Sequence, residues 1–161
     1  MLKRFFPVIS IAVAVLLGSS FTNNSPIAVA KKGSFVCVIN DKPFIIENMQ
    51  ANLRKITGGE VQLSFSNDRF VKFTFLNPVE NNKIDVSVPG REHYIRYEDP
   101  STSLVGKPVQ GFVVLDKIDE MNKVVSGTFE LSIAVPMANG TQKQIRVTQG
   151  RLNDIPLELR Q

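Results

Sequence analysis

Tryptophan is absent from the 161 residues, and cysteine and histidine occur once each. Each scarcity narrows what the chain can do. Sugar-binding β-sandwiches lean on exposed aromatic platforms, so without tryptophan carbohydrate binding loses weight. The lone histidine, His93, cannot build the usual zinc site without cysteine or carboxylate partners. A Ser-His-Asp triad stays formally open, because serine and aspartate abound. No Gly-x-Ser-x-Gly elbow is present to position its nucleophile. Residues 116–122 gather oxygen ligands but lack the spacing and central glycine of an EF-hand, so a polar hairpin tip is the simpler reading. Nor is there a glycine-rich phosphate loop. The sequence nominates no catalytic residue, no metal ligand and no cofactor.

The lone cysteine, Cys37, sits in Phe35-Val36-Cys37-Val38-Ile39, which is apolar on both faces. Reactive thiols need exposure and positive neighbours, so this one reads as buried and inert. A domain of about 130 residues buries a sufficient core without disulfides.

Long apolar runs are also missing, apart from one near the start. Lys3 and Arg4 precede the apolar stretch 5–17, interrupted only by Pro7 and Ser10. A helix rises about 1.5 Å per residue, so this stretch falls short of the ~30 Å hydrocarbon core. The layout is that of a signal peptide. Ala28-Val29-Ala30 fits signal peptidase and places cleavage after Ala30; Gly18 and Ser20 offer a second site after Ser20. Leu16-Leu17-Gly18-Ser19 reads like a lipobox with serine in place of cysteine, and Ser19 cannot carry the lipid. The expectation is a signal helix over 1–30, then a single all-β domain over 31–161. That domain is exported to the periplasm or beyond, and spans no membrane once cleaved.

Charge of one sign is scarce too. The whole chain carries +4, but loss of Lys3 and Arg4 leaves 17 basic against 15 acidic side chains, or +2. The basic residues are scattered. A nucleic-acid partner would call for a clustered basic face, so none is expected.

What the chain has in abundance is period-two alternation, the signature of strands. Residues 34–40 form a continuous apolar run, followed by an Asn40-Asp41-Lys42 turn and a second strand opening at Pro43. Residues 49–56 are ambiguous: Met49, Leu53 and Ile56 have helical spacing, whereas a strand or irregular segment, the favoured reading, puts Met49, Ala51 and Leu53 on one face. Val61, Leu63 and Phe65, then Val71, Phe73 and Phe75, then Ile84, Val86 and Val88 alternate with polar residues. Residues 94–98 read as a short strand and 99–108 as a loop. Two long strands, 110–118 and 124–135, flank a polar tip at 119–122. In the second, Val125, Gly127, Phe129, Leu131, Ile133 and Val135 face a core, while Ser126, Thr128, Glu130 and Ser132 face water. Asn139-Gly140 suits a tight turn. Ile145 and Val147 point inward in the returning strand, and Ile155, Leu157 and Leu159 extend as a last edge segment marked by Pro156. Gly127 in mid-strand implies a close approach or sharp bend, and Gly150 a bulge. The fold expected is an antiparallel meander of about 8–10 strands forming a sandwich or a barrel.

Two segments carry a family likeness. Val125-Ser126-Gly127-Thr128-Phe129-Glu130 followed by Ile145-Arg146-Val147-Thr148-Gln149-Gly150-Arg151-Leu152 resembles the ending of small secreted lipoproteins of unknown function from Gram-negative bacteria. The opening from Phe35 to Phe44 resembles that family's first hairpin, with Asp41 where a turn glycine is usual. Leu152 stands where an aromatic is usual, and Ser19 where the lipobox cysteine would be. The resemblance implies a β-domain and an envelope address, and no activity.

The densest functional-looking cluster is Tyr94, Arg96, Tyr97, Glu98 and Asp99. Tyrosine and arginine are frequent interface anchors. On a strand, Tyr94, Arg96 and Glu98 share one face and Ile95 and Tyr97 the other. The binding residues nominated are Tyr94, Arg96 and Tyr97, against the plainer reading of a polar cross-strand ladder. Three functions follow. The first is a non-enzymatic binding or structural domain of the envelope, with a protein as one candidate partner. The second is a lipocalin-like carrier of a hydrophobic small molecule, which needs a hollow interior. The third is a hydrolase using His93, which needs a carboxylate and a hydroxyl within reach of that ring.

Overall fold

The computed structural model describes residues 31–67, 70–88, 90, 92–98 and 103–160. The expected signal segment and Asp99 lie outside the described residues. Ten strands are present: β1 (Ser34–Ile39), β2 (Lys42–Ile46), β3 (Gln50–Lys55), β4 (Val61–Ser66), β5 (Val71–Leu76), β6 (Lys83–Asp85), β7 (His93–Glu98), β8 (Val105–Asp119), β9 (Val124–Pro136) and β10 (Gln142–Arg160). Among the described residues no helix is long and apolar enough to cross a membrane.

Seven strands close a barrel in chain order, β3-β4-β5-β7-β8-β9-β10, and β10 then pairs with β3. The expected all-β meander is therefore a barrel. Every contact in it is antiparallel except the last, where Leu157 to Arg160 run parallel to Ala51 to Arg54. The reason is parity: an odd number of up-and-down strands leaves the first and last running the same way.

The remaining strands are additions to this ring. The β1–β2 hairpin lies along the middle of β10, with Phe35 opposite Leu152 and Ile39 opposite Val147. Its turn is made by Asn40 and Asp41, whose φ values of 46° and 65° are the left-handed pair a two-residue hairpin requires. Asparagine and aspartate tolerate that region. β6 pairs with the other edge of β8.

Three local expectations need correcting. The strand β8 begins at Val105, inside the expected loop, because its two apparent breakers fit special places. Pro108 sits beside the register shift at Val109, where a missing N–H is tolerated. Gly106 lies against Ile133 and Val135, where a Cβ would be 2.6 and 2.8 Å from their methyl groups. Second, β6 stops at Asp85, and Val88 is exposed. The Asp85 carboxylate accepts the Ser87 N–H at 2.9 Å and turns the chain out of the sheet. Third, the segment 155–159 does not simply run along an edge: Ile155 and Pro156 pair with β9, and from Leu157 onward the strand passes to β3 and closes the ring.

The interior is filled by alternate side chains, as in small barrels generally. Val125, Phe129, Leu131, Ile133 and Val135 of β9 are all buried, as their spacing predicts. Met49 and Ala51 are fully buried beside Leu53, which makes 50–55 a strand rather than a helix. Phe129 stacks on Phe35 at 4.8 Å and packs against Phe73 at 5.5 Å, tying β1, β9 and β5 together. The ring of Phe129 occupies the place a side chain at 150 would take: a Cβ there would lie 2.4 Å from it. At Gly127 a Cβ would lie 2.6 Å from the Val114 carbonyl oxygen, so β8 too passes close by. An apolar void among Phe35, Phe73 and Phe129 measures only about 10 Å³, at or below what one water needs.

Candidate functional site

The sheet face nominated from the sequence is split by the strand pleat. On β7, Tyr94 is 49% exposed and Arg96 is exposed, whereas Tyr97 is 5% exposed and faces the core with Ile95. Tyr94 and Arg96 therefore share the outer surface, and Tyr97 is a core residue. Across the β5–β7 pair, Lys72 stands opposite Arg96 and Thr74 opposite Tyr94. Arg96 donates to Glu98 at 3.1 Å. This is a polar ladder on a solvated sheet face. Beside it lies a cleft of about 160 Å³ bordered by Ser66, Phe70, Lys72 and Arg96.

His93 opens β7, half-buried and opposite Phe75. Asp85 is close enough to feel its charge, but the Asp85 carboxylate is committed elsewhere. Its Oδ1 accepts from the Ser87 hydroxyl at 2.6 Å and from the Ser87 N–H. Those two bonds hold the carboxyl below the usual aspartate range. Among the described residues neither Asp85 nor Ser87 hydrogen-bonds the imidazole, so the three do not form a relay.

The polar tip is equally self-contained. Asp119 accepts from the backbone and side-chain N–H groups of Asn122, both at 2.7 Å, and pairs with Lys117 at 2.8 Å. These partners hold its carboxyl well below the usual range. Among the described residues no group of three His, Cys, Asp or Glu side chains is placed to hold a metal ion. Cys37 is fully buried, and burial alone pushes its thiol up to about 12.

A concavity lies along the outer face of β8, β9 and β10. It encloses about 630 Å³. Its shape follows from register. One row places Gln110, Ser132 and Arg146 side by side on the three strands; the next places Phe112 opposite Glu130. Thr148 completes that second row from a bulge in β10, and Gln144 closes the other end. Ser132 on β9 thus forms a low floor between the longer Gln110 and Arg146 on its neighbours. The β1–β2 turn caps one side, because Asn40 exchanges two hydrogen bonds with Arg146: Asn40 N–H to the Arg146 carbonyl at 3.0 Å, and Arg146 N–H to Asn40 Oδ1 at 3.1 Å. The Lys83 ammonium lies 4.4 Å from the centre of the Phe112 ring, reaching it from β6.

Sequence reasoning placed Thr128, Glu130 and Ser132 on a water-facing strand and stopped there. The trough was not legible because it depends on which residues of β8 and β10 stand beside them, and four register shifts in the two pairings set that alignment. No family model, no curated protein and no solved structure matches this chain.

Proposed function

We propose that this chain is an exported, non-enzymatic domain of the cell envelope that binds or scaffolds through the outer surface of its barrel. The observation that carries this reading is the filled interior. Ligand pockets run to roughly 300–1,000 Å³, against a void of about 10 Å³ within this core. Among the described residues, that void is far too small for the cargo of a lipocalin-like carrier. The hydrolase reading is weakened by Asp85 and Ser87 bonding each other rather than His93. Outside, Tyr94 and Arg96 on β7 supply an aromatic and a guanidinium of the kind that anchor partners. The export features of residues 1–30 and the likeness of 125–130 and 145–152 to secreted lipoprotein domains support the envelope address.

Fractionation of the producing cells followed by intact-mass measurement tests this. The expected species is released without detergent, begins at Lys31 or at Phe21, and carries no adduct. A full-length chain retained in the inner membrane, or a lipid bound in stoichiometric amount, would refute the reading.

A further inference from the structure

We propose that the trough on β8, β9 and β10 is a binding site for a linear, uncharged oligosaccharide. The inference rests on the reading of an outer-surface binding domain and assigns its ligand class.

Shape is the first argument. From Gln144 to Thr148 the trough runs about 13 Å along the strand, longer than one sugar ring. Its floor at Ser132 is low, and its walls are the longer side chains of Gln110 and Arg146 on either side.

Chemistry is the second. The lining is dominated by groups with two adjacent hydrogen-bonding points. Gln110 and Gln144 carry carboxamides, Arg146 a guanidinium and Glu130 a carboxylate. Each can engage two neighbouring hydroxyls at once. Ser132 and Thr148 add single hydroxyls. Asn40 already uses its Oδ1 on the Arg146 N–H, which leaves its NH₂ as a donor. Among the described residues, neither the Arg146 guanidinium nor the Glu130 carboxylate makes an ion pair. Within the lining one cation stands with one anion, and the Lys83 ammonium nearby is held on the Phe112 ring, so no cluster of like charge is offered to a charged polymer and an uncharged ligand fits best.

The third argument separates sugar from peptide. An extended peptide gains affinity by adding to a free sheet edge. Here β9 is paired on both sides, so no ladder is on offer. Nor does the polar floor provide an apolar socket for an anchoring side chain. Phe112, half-buried at the β8 wall with the Lys83 ammonium over its ring, is the aromatic group of this lining.

The test is an amide-resolved NMR titration of the exported protein with neutral linear hexasaccharides of glucose, mannose, galactose and N-acetylglucosamine. Polygalacturonate fragments and unstructured hexapeptides run in parallel. At least one neutral hexasaccharide is expected to saturate at up to millimolar concentration, moving amides at 110–112, 130–132 and 144–148. Arg146→Ala and Glu130→Ala should each weaken it about tenfold or more. Ser132→Gln, which fills the floor, should abolish it, and Tyr94→Ala should leave it unchanged. All four variants should melt with the parent. Saturable binding of peptides or of the anionic fragments in place of neutral sugars overturns the assignment and leaves the binding-domain reading standing. So do shifts that gather around Tyr94 and Arg96. A complete absence of shifts with all the neutral sugars also overturns it. A lipid held inside the barrel is the separate result that removes the outer-surface reading itself.

Discussion

Replacing Gly150 with alanine would drive a methyl group into the ring of Phe129. An ideal Cβ at 150 lies 2.4 Å from two ring carbons and 2.5 Å from the Phe129 carbonyl oxygen. Carbon atoms in contact prefer about 3.5–4.0 Å, so more than an ångström must be found. The ring cannot retreat, because it is stacked on Phe35 at 4.8 Å with Phe73 at 5.5 Å behind it. The void beside them, about 10 Å³, is too small to take it. Gly150 does not have a left-handed φ, so alanine brings no backbone strain of its own and the cost is steric. Overpacking of this kind costs about 1–3 kcal/mol, or more where the backbone must shift. For a domain of this size that lowers Tm by roughly 5–10 °C. Urea and thermal unfolding followed by circular dichroism measure it. The double mutant with Phe129→Ala isolates the cause. Phe129→Ala alone should cost about 3–5 kcal/mol, but Gly150→Ala added to it should cost at least about 1 kcal/mol less than in the parent. If Gly150→Ala alone costs under about 0.5 kcal/mol, the range of ordinary surface changes, the packing account is wrong. An unchanged cost in the Phe129→Ala background would assign the clash to the carbonyl instead of the ring.

Further outcomes follow from burial and charge. Cys37 should resist alkylation in the native protein at mildly alkaline pH and react promptly in denaturant, since burial pushes its thiol up to about 12. Prompt native labelling would mean the hairpin β1–β2 opens. The Asp119 carboxyl is held low by Asn122 and Lys117, so it binds protons less readily folded than unfolded. Its stabilisation is therefore complete above the ordinary aspartate value of about 4 and lost progressively as pH falls below it. Denaturation midpoints measured from neutral to strongly acidic pH should show a shallower acid loss in Asp119→Asn than in the parent; parallel curves would contradict this. Tyr97→Ala should cost about 3 kcal/mol or more, whereas Tyr94→Ala should stay within about 0.5 kcal/mol. Equal unfolding midpoints for the two variants would show that the face assignment on β7 is wrong.

Local chemistry and long-range pairing contributed differently to this molecule. The inward set of β9 was readable because side chains alternate strictly along a strand, so the pattern from Val125 to Val135 names its own buried face. The Asn40-Asp41 turn was readable for a similar reason, since few residues tolerate two successive left-handed conformations. Pro108 misled, because its missing N–H breaks a strand only where a partner needs that N–H. The register shift at Val109 relieves this need. Tyr94 and Arg96 were separable from Tyr97 by parity, but that parity could not say which face would be solvated.

Sequence alone therefore determined the strand count within its stated range, the two faces of the longest strands, the inert setting of Cys37 and the export-like opening. All of these arise from neighbours a few residues apart. Tertiary structure decided that the sheet closes with seven strands, that the closing pair of Leu157 and Ala51 is parallel, and that the void among Phe35, Phe73 and Phe129 is only about 10 Å³. It also decided that Gln110, Ser132 and Arg146 stand in one row. Those outcomes depend on contacts between residues far apart in the chain and on bulges that shift register by a single position. A one-residue slip exchanges the two faces of a strand, and alternation within one strand carries no record of its partner's alignment.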